Sequence, residues 1–123
     1  LRKTEDPQLL LREHENLRLM LEQPGGEGSR TGKEYRRQRD SLMEERDRFI
    51  ATSIDATLRE DELGVLFLGA YHSVERYLPE DISVEPVKDR QEVLDYLQEL
   101  FEGHDEGRLE EMARALAAPV SPR

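Results

Sequence analysis

The sequence predicts an α/β fold that is predominantly helical, with a small two-stranded parallel sheet covered by four to five helices. Two kinds of pattern predict it. Several polar segments repeat their apolar residues every three to four positions, as an amphipathic helix does. Two short segments do not: Val65, Leu66, Phe67 and Leu68 form a continuous apolar run, and Ile82, Val84 and Val87 sit in an alternating one. A continuous run of this kind fits a strand buried on both faces, and an alternating run fits a half-exposed strand.

Each element has its own local signals. Residues 7–22 read as a first helix, with Asp6 able to cap it, Pro7 in its first turn and Leu10, Leu17, Met20 and Leu21 on one face. Residues 23–32 hold four glycines and one proline, the composition of a flexible loop. Thr31 and Glu34 have the spacing of a capping box, which predicts that a long helix opens at Lys33 and runs to about Glu60. Tyr35, Leu42, Phe49, Ile50 and Ile54 share its apolar stripe, and Gly64 separates it from the strand. Residues 73–78 suit a helical turn ahead of Pro79, and Pro86 favours an edge position for the second strand. Asp89 and Glu92 cap a helix that carries Val93, Leu97, Leu100 and Phe101 on one face and ends at Gly103. A last helix over residues 105–118 places Leu109, Met112, Ala113 and Leu116 inward, with Pro119 after its end. The expected organisation is thus an N-terminal helix (1–22), the Gly-rich loop (23–32), one α/β domain (33–118) and a tail (119–123). A two-stranded sheet is marginal alone, so either helices cover both of its faces or it continues into another chain or a missing segment.

Charge and composition narrow the function classes. The 123 residues carry a formal net charge of −10. Residues 75–111 hold thirteen acidic side chains against four basic ones, and no basic stripe with interleaved aromatics occurs elsewhere. Such a surface repels a phosphate backbone, so nucleic acid is not an expected partner. There are no cysteines, which excludes disulfides, thiolate metal sites and a cysteine nucleophile, and fits a reducing, cytoplasmic setting. The four-residue apolar run is far too short to cross a bilayer, so no membrane is expected. The chain begins at Leu1, which fits a fragment or a processed product of a larger protein.

Two positions have a claim to chemistry. His72 follows the carboxyl end of the continuous strand, where open α/β sheets place their sites, and an imidazole there can hold a metal or act as a base. Gly69 lets a ligand approach the backbone, and Tyr71 adds a hydroxyl at the same strand end. Arg39 and Arg46 both project near the centre of the long helix's apolar stripe, with Ser53 and Thr57 nearby. A charge seldom sits there without a partner, so each arginine calls for a buried carboxylate, an anionic ligand or a subunit interface, unless its guanidinium snorkels to water. His14 lies on a charged helix face and His104 in a Gly-His-Asp-Glu-Gly loop, neither in a pattern that converges on a metal.

The stretch Glu44, Glu45, Arg46, Asp47, Arg48, Phe49, Ile50, Ala51, followed by the apolar run and Gly69, Ala70, Tyr71, His72, resembles the closing portion of the TraB/Tiki and ChaN/erythromycin-esterase-like group. There a helix with an Arg-Asp or Arg-Asn pair leads into a hydrophobic strand ending in Gly-x-x-His, and Arg46, Asp47 and His72 match. The resemblance covers about a quarter of the chain. It implies a metal-assisted or esterase-like hydrolytic site, with a divalent metal or base function at His72 and support from Arg46. The group pairs this element with an earlier Gly-x-x-His and a distant glutamate, and neither occurs in this sequence.

Three readings follow. The first is a noncatalytic interaction or regulatory domain that associates through its long helix and sheet edge, as a homo-oligomer or within a larger protein. The second is a hydrolase domain using His72 and Arg46 as catalytic residues, with His72 as metal ligand. The third is a small-anion sensor built on Arg46, Arg39 and the strand end at Gly69 and Tyr71.

Overall fold

The computed structural model describes residues 3–22 and 30–120, and within them the chain is helical. The four α-helices are α1 (Pro7–Glu22), α2 (Arg30–Thr57), α3 (Arg90–Glu102) and α4 (Glu106–Ala117), with a single 3-10 turn at Val74–Arg76. They fall into two compact units. The first comprises the chain up to Leu66 together with residues 72–82, and the second comprises residues 67–71 with everything from Ser83 onward.

The first unit is an antiparallel helix pair closed by the 3-10 turn. Asp6 caps α1, its carboxylate accepting from the Gln8 amide at 2.9 Å. The pairing direction follows from two contacts: Asn16 Nδ2 donates to the Tyr35 carbonyl at 3.2 Å, while Arg12, a turn earlier, meets Glu45 at 3.0 Å. Leu9 and Asn16 are therefore the buried residues of α1. Leu10, Leu17 and Leu21, expected to form its apolar face, point to solvent. Gly32, Leu42, Arg46, Asp47, Ile50 and Ala51 are buried positions along α2. Ile50, Ala51 and Val74 make the core proper, with Ile54, Tyr77 and Leu78 packed around them.

The helix α2 begins at Arg30, so Thr31 lies inside its first turn rather than at its cap. It stops at Thr57, before the expected end near Glu60. Its last turns explain the stop. The hydroxyls of Thr52, Ser53 and Thr57 each bond a carbonyl four residues back, at 2.7–2.9 Å, in competition with the helical ladder. Asp61 then takes a left-handed conformation at φ 65° and turns the chain out of the helix.

No strand forms among the described residues, and the expected two-stranded sheet is corrected accordingly: the fold class is all-α. Val65, Leu66, Phe67 and Leu68 are exposed, as are residues 83–87. No backbone–backbone hydrogen bond joins residues 63–69 to the rest of the described chain. The pattern that suggested burial on both faces describes side chains only. A strand also needs neighbours on its edges, and two short segments without a third are marginal in water.

The second unit is the α3–α4 hairpin with its leading segments. Asp89 caps α3 as expected, accepting from the amides of Gln91 and Glu92, and Asp105 caps α4 through the Arg108 amide at 3.0 Å. Gly103 closes α3, its amide donating to the Glu99 carbonyl at 2.9 Å. Arg108 reaches Glu99 at 3.7 Å, Arg90 Nε donates to the Ala70 carbonyl at 2.8 Å, and Lys88 caps the end of α4 through the Ala118 carbonyl at 2.6 Å. Leu109, Met112, Ala113 and Leu116 are half-buried on the predicted face of α4. Yet no described residue of this unit is fully buried. The loop at 23–29 and the tail at 121–123 lie outside the described residues.

Candidate functional site

The candidate site lies in the first unit, where α2 presents consecutive residues Arg46 and Asp47 to the segment that carries His72. Hydrophobic packing builds it. Ile50 sits one turn along α2 from Arg46 and, with Ala51, packs on Val74, two residues beyond His72. That contact pins the backbone of residues 72–74 against the helix and brings the imidazole over the Arg-Asp pair.

Asp47 uses both carboxylate oxygens. Its Oδ1 lies 2.5 Å from His72 Nδ1, and its Oδ2 accepts from the Ser73 amide at 2.7 Å. Only 4% of the Asp47 side chain and 7% of the His72 side chain are exposed. The other ring nitrogen, Nε2, lies 3.4 Å from Arg46 Nη2. A guanidinium nitrogen has only protons to offer, so Nε2 is the acceptor and Nδ1 carries the proton donated to Asp47. This assigns one tautomer and leaves neither ring nitrogen facing open space.

Arg46 is held on its other sides by α1 and the residues before it. Nη2 and Nε donate to the two oxygens of Glu5 at 2.6 and 3.2 Å, a fork-to-fork pairing, and Nη1 donates to Glu13 at 2.5 Å. The hydrogen bonds that Arg46 donates to Glu5 raise its pKa above the ordinary value against the opposing effect of burial, and the charges of Glu13, Glu5 and Asp47 reinforce them. Arg46 is therefore a cation at every accessible pH.

The sequence-predicted residues divide clearly. Arg46 and His72 meet. Arg39, seven residues and about 10 Å earlier on α2, is exposed and pairs with its neighbour Asp40 at 3.4 Å. Gly69 and Tyr71 belong to the second unit and are exposed there. Ser53 and Thr57 bond their own helix rather than an arginine. Glu5 and Glu13, the carboxylates that Arg46 requires, were not anticipated. The signal for Glu13 was present: it stands four residues after Leu9 and three before Asn16, on the face of α1 that packs inward.

The residues around His72 do not suit a metal. A cation on Nε2 would stand against the Arg46 guanidinium, Nδ1 is taken by Asp47, and the described residues contain no group of three or more His, Asp or Glu placed to hold an ion. An oriented Asp–His pair is also the arrangement that serves a general base, but a base needs a free nitrogen within reach of a substrate proton. Here that nitrogen faces Arg46. No family model matches the chain, and no curated protein or solved structure matches it.

Proposed function

We propose that this chain is a noncatalytic interaction domain whose second unit associates with a second copy of the same unit. The observation that carries the reading is the missing core. Two capped amphipathic helices and an apolar leading segment are present, yet no described residue of the unit is buried. Phe67 is 88% exposed and Phe101 is 77% exposed, and Leu100, Val84 and Val87 of the same unit are exposed as well. Burying one such phenylalanine is worth about 1.5–3 kcal/mol, so three or four of these side chains amount to a sizeable fraction of a domain's stability. Large apolar exposure of this kind marks a surface that is covered in use. The buried network around His72 supports the noncatalytic part, since its polar atoms are spent on each other.

Light scattering on fractions from a sizing column tests the reading. The expected result is a mass that rises from one chain toward two across the micromolar range. Phe101→Asp holds the mass at one chain with unchanged helical circular dichroism, because the side chain it replaces makes little contact within the monomer. A single-chain mass at all concentrations, or a variant that associates like the parent, contradicts the reading.

A further inference from the structure

The Glu5–Arg46 fork is the contact that an arginine makes with a carboxylate ligand, and the two carboxylates on Arg46 are held very differently. Glu13 belongs to the middle of α1, fixed by Leu9 and Asn16 on either side of it. Glu5 precedes the Asp6 cap, outside any helix. Among the described residues, no other hydrogen bond or ion pair anchors Lys3, Thr4 or Glu5. If Glu5 leaves, Arg46 keeps Glu13, so no buried charge is orphaned, and such orphaning is what ordinarily makes a buried ion pair costly to open.

From this we propose that the Nε/Nη2 edge of Arg46 is a carboxylate-binding site, occupied in cis by Glu5, which a carboxylate from another molecule can displace. The neighbours set the ligand class. Glu13 and Asp47 place two negative charges beside the site, which disfavours a dianionic phosphate relative to a monoanion. The paired Nε and Nη2 protons match the two oxygens of a planar carboxylate. His72 Nε2 accepts from the same Nη2, holding the guanidinium plane in place while its outer edge exchanges partners. The site lies wholly within the first unit and does not depend on self-association through the second.

The test follows the Arg46 Nε–Hε and His72 ring resonances by NMR while acetate, or a short peptide with a free C-terminal carboxylate, is added. The amide of each probe serves as control. In the parent protein the tethered Glu5 competes at an effective concentration of millimolar order, so the response is weak. Glu5→Gln removes that competitor, and the expected result is saturable binding about tenfold tighter or more, absent with the amides. Acetate binding alone assigns the site to free small acids, and binding of the peptide alone assigns it to chain termini. Arg46→Lys in the Glu5→Gln background abolishes saturation, because an ammonium cannot make the fork. An identical response in parent and Glu5→Gln protein overturns the proposal. So does loss of cooperative unfolding in Glu5→Gln, which identifies Glu5 as a structural counter-ion.

Discussion

Asp47 is nearly fully buried, and its two oxygens accept from the buried His72 ring and from the partly buried Ser73 amide. Replacing it with alanine removes the acceptor of the buried His72 Nδ1 proton and takes away the group that selects the His72 tautomer. Asp47→Ala should cost about 2–4 kcal/mol, read as a lowered denaturant midpoint at unchanged slope. A loss under 0.5 kcal/mol shows that water replaces the carboxylate and that the network is not a lock. Arg46 was legible as an anomaly in the sequence, since a guanidinium at the centre of an apolar stripe demands a counter-charge. The identity of that counter-charge was not, because the leucines of α1 point the wrong way. Leu10, Leu17 and Leu21 form the more apolar stripe of α1, and burial went instead to Leu9 and Asn16. The inward face of α1 instead carries the Glu13 contact to Arg46 and the Asn16 hydrogen bond to the Tyr35 carbonyl, and periodicity counts only apolar residues.

At the level of single elements, caps and breakers were the most reliable part of the sequence. Asp6, Asp89 and Gly103 act where their spacing placed them, because each serves a local need within one or two turns, whereas Thr31 falls inside α2 and Asp105 caps a helix that was expected to begin with it. Gly103 is required for space rather than for an unusual backbone angle: a Cβ on it would stand 2.5 Å from the Glu99 carbonyl oxygen that its own amide bonds. Gly103→Ala should therefore cost about 1–3 kcal/mol and fray the last turn of α3, visible as lost amide protection at residues 99–103. Unchanged protection there shows that the turn relaxes without penalty. The apolar run at residues 65–68 was misread for the opposite reason. A strand is a relation between segments, and residues 82–87, the expected partner, form no backbone hydrogen bond with this one. His72 emerges next to Arg46 all the same, because Val74 anchors its backbone to α2 without any sheet.

For the molecule as a whole, the two units differ in kind. The first closes on itself around Ile50, Ala51 and Val74 and buries a satisfied polar network. The second has regular, well-capped helices and no interior. The acidic surface, with a formal net charge of −10 overall, opposes close approach of two copies at low salt. Association driven by apolar side chains should accordingly strengthen as salt screens that repulsion. No helix among the described residues is long and apolar enough to cross a membrane. Whether the second unit acquires its missing core from another copy is the central claim, and amide hydrogen exchange at several protein concentrations measures it residue by residue. Protection in α3 and α4 should rise with concentration while that in α1 and α2 stays constant. Protection of α3 and α4 that does not depend on concentration would contradict the account.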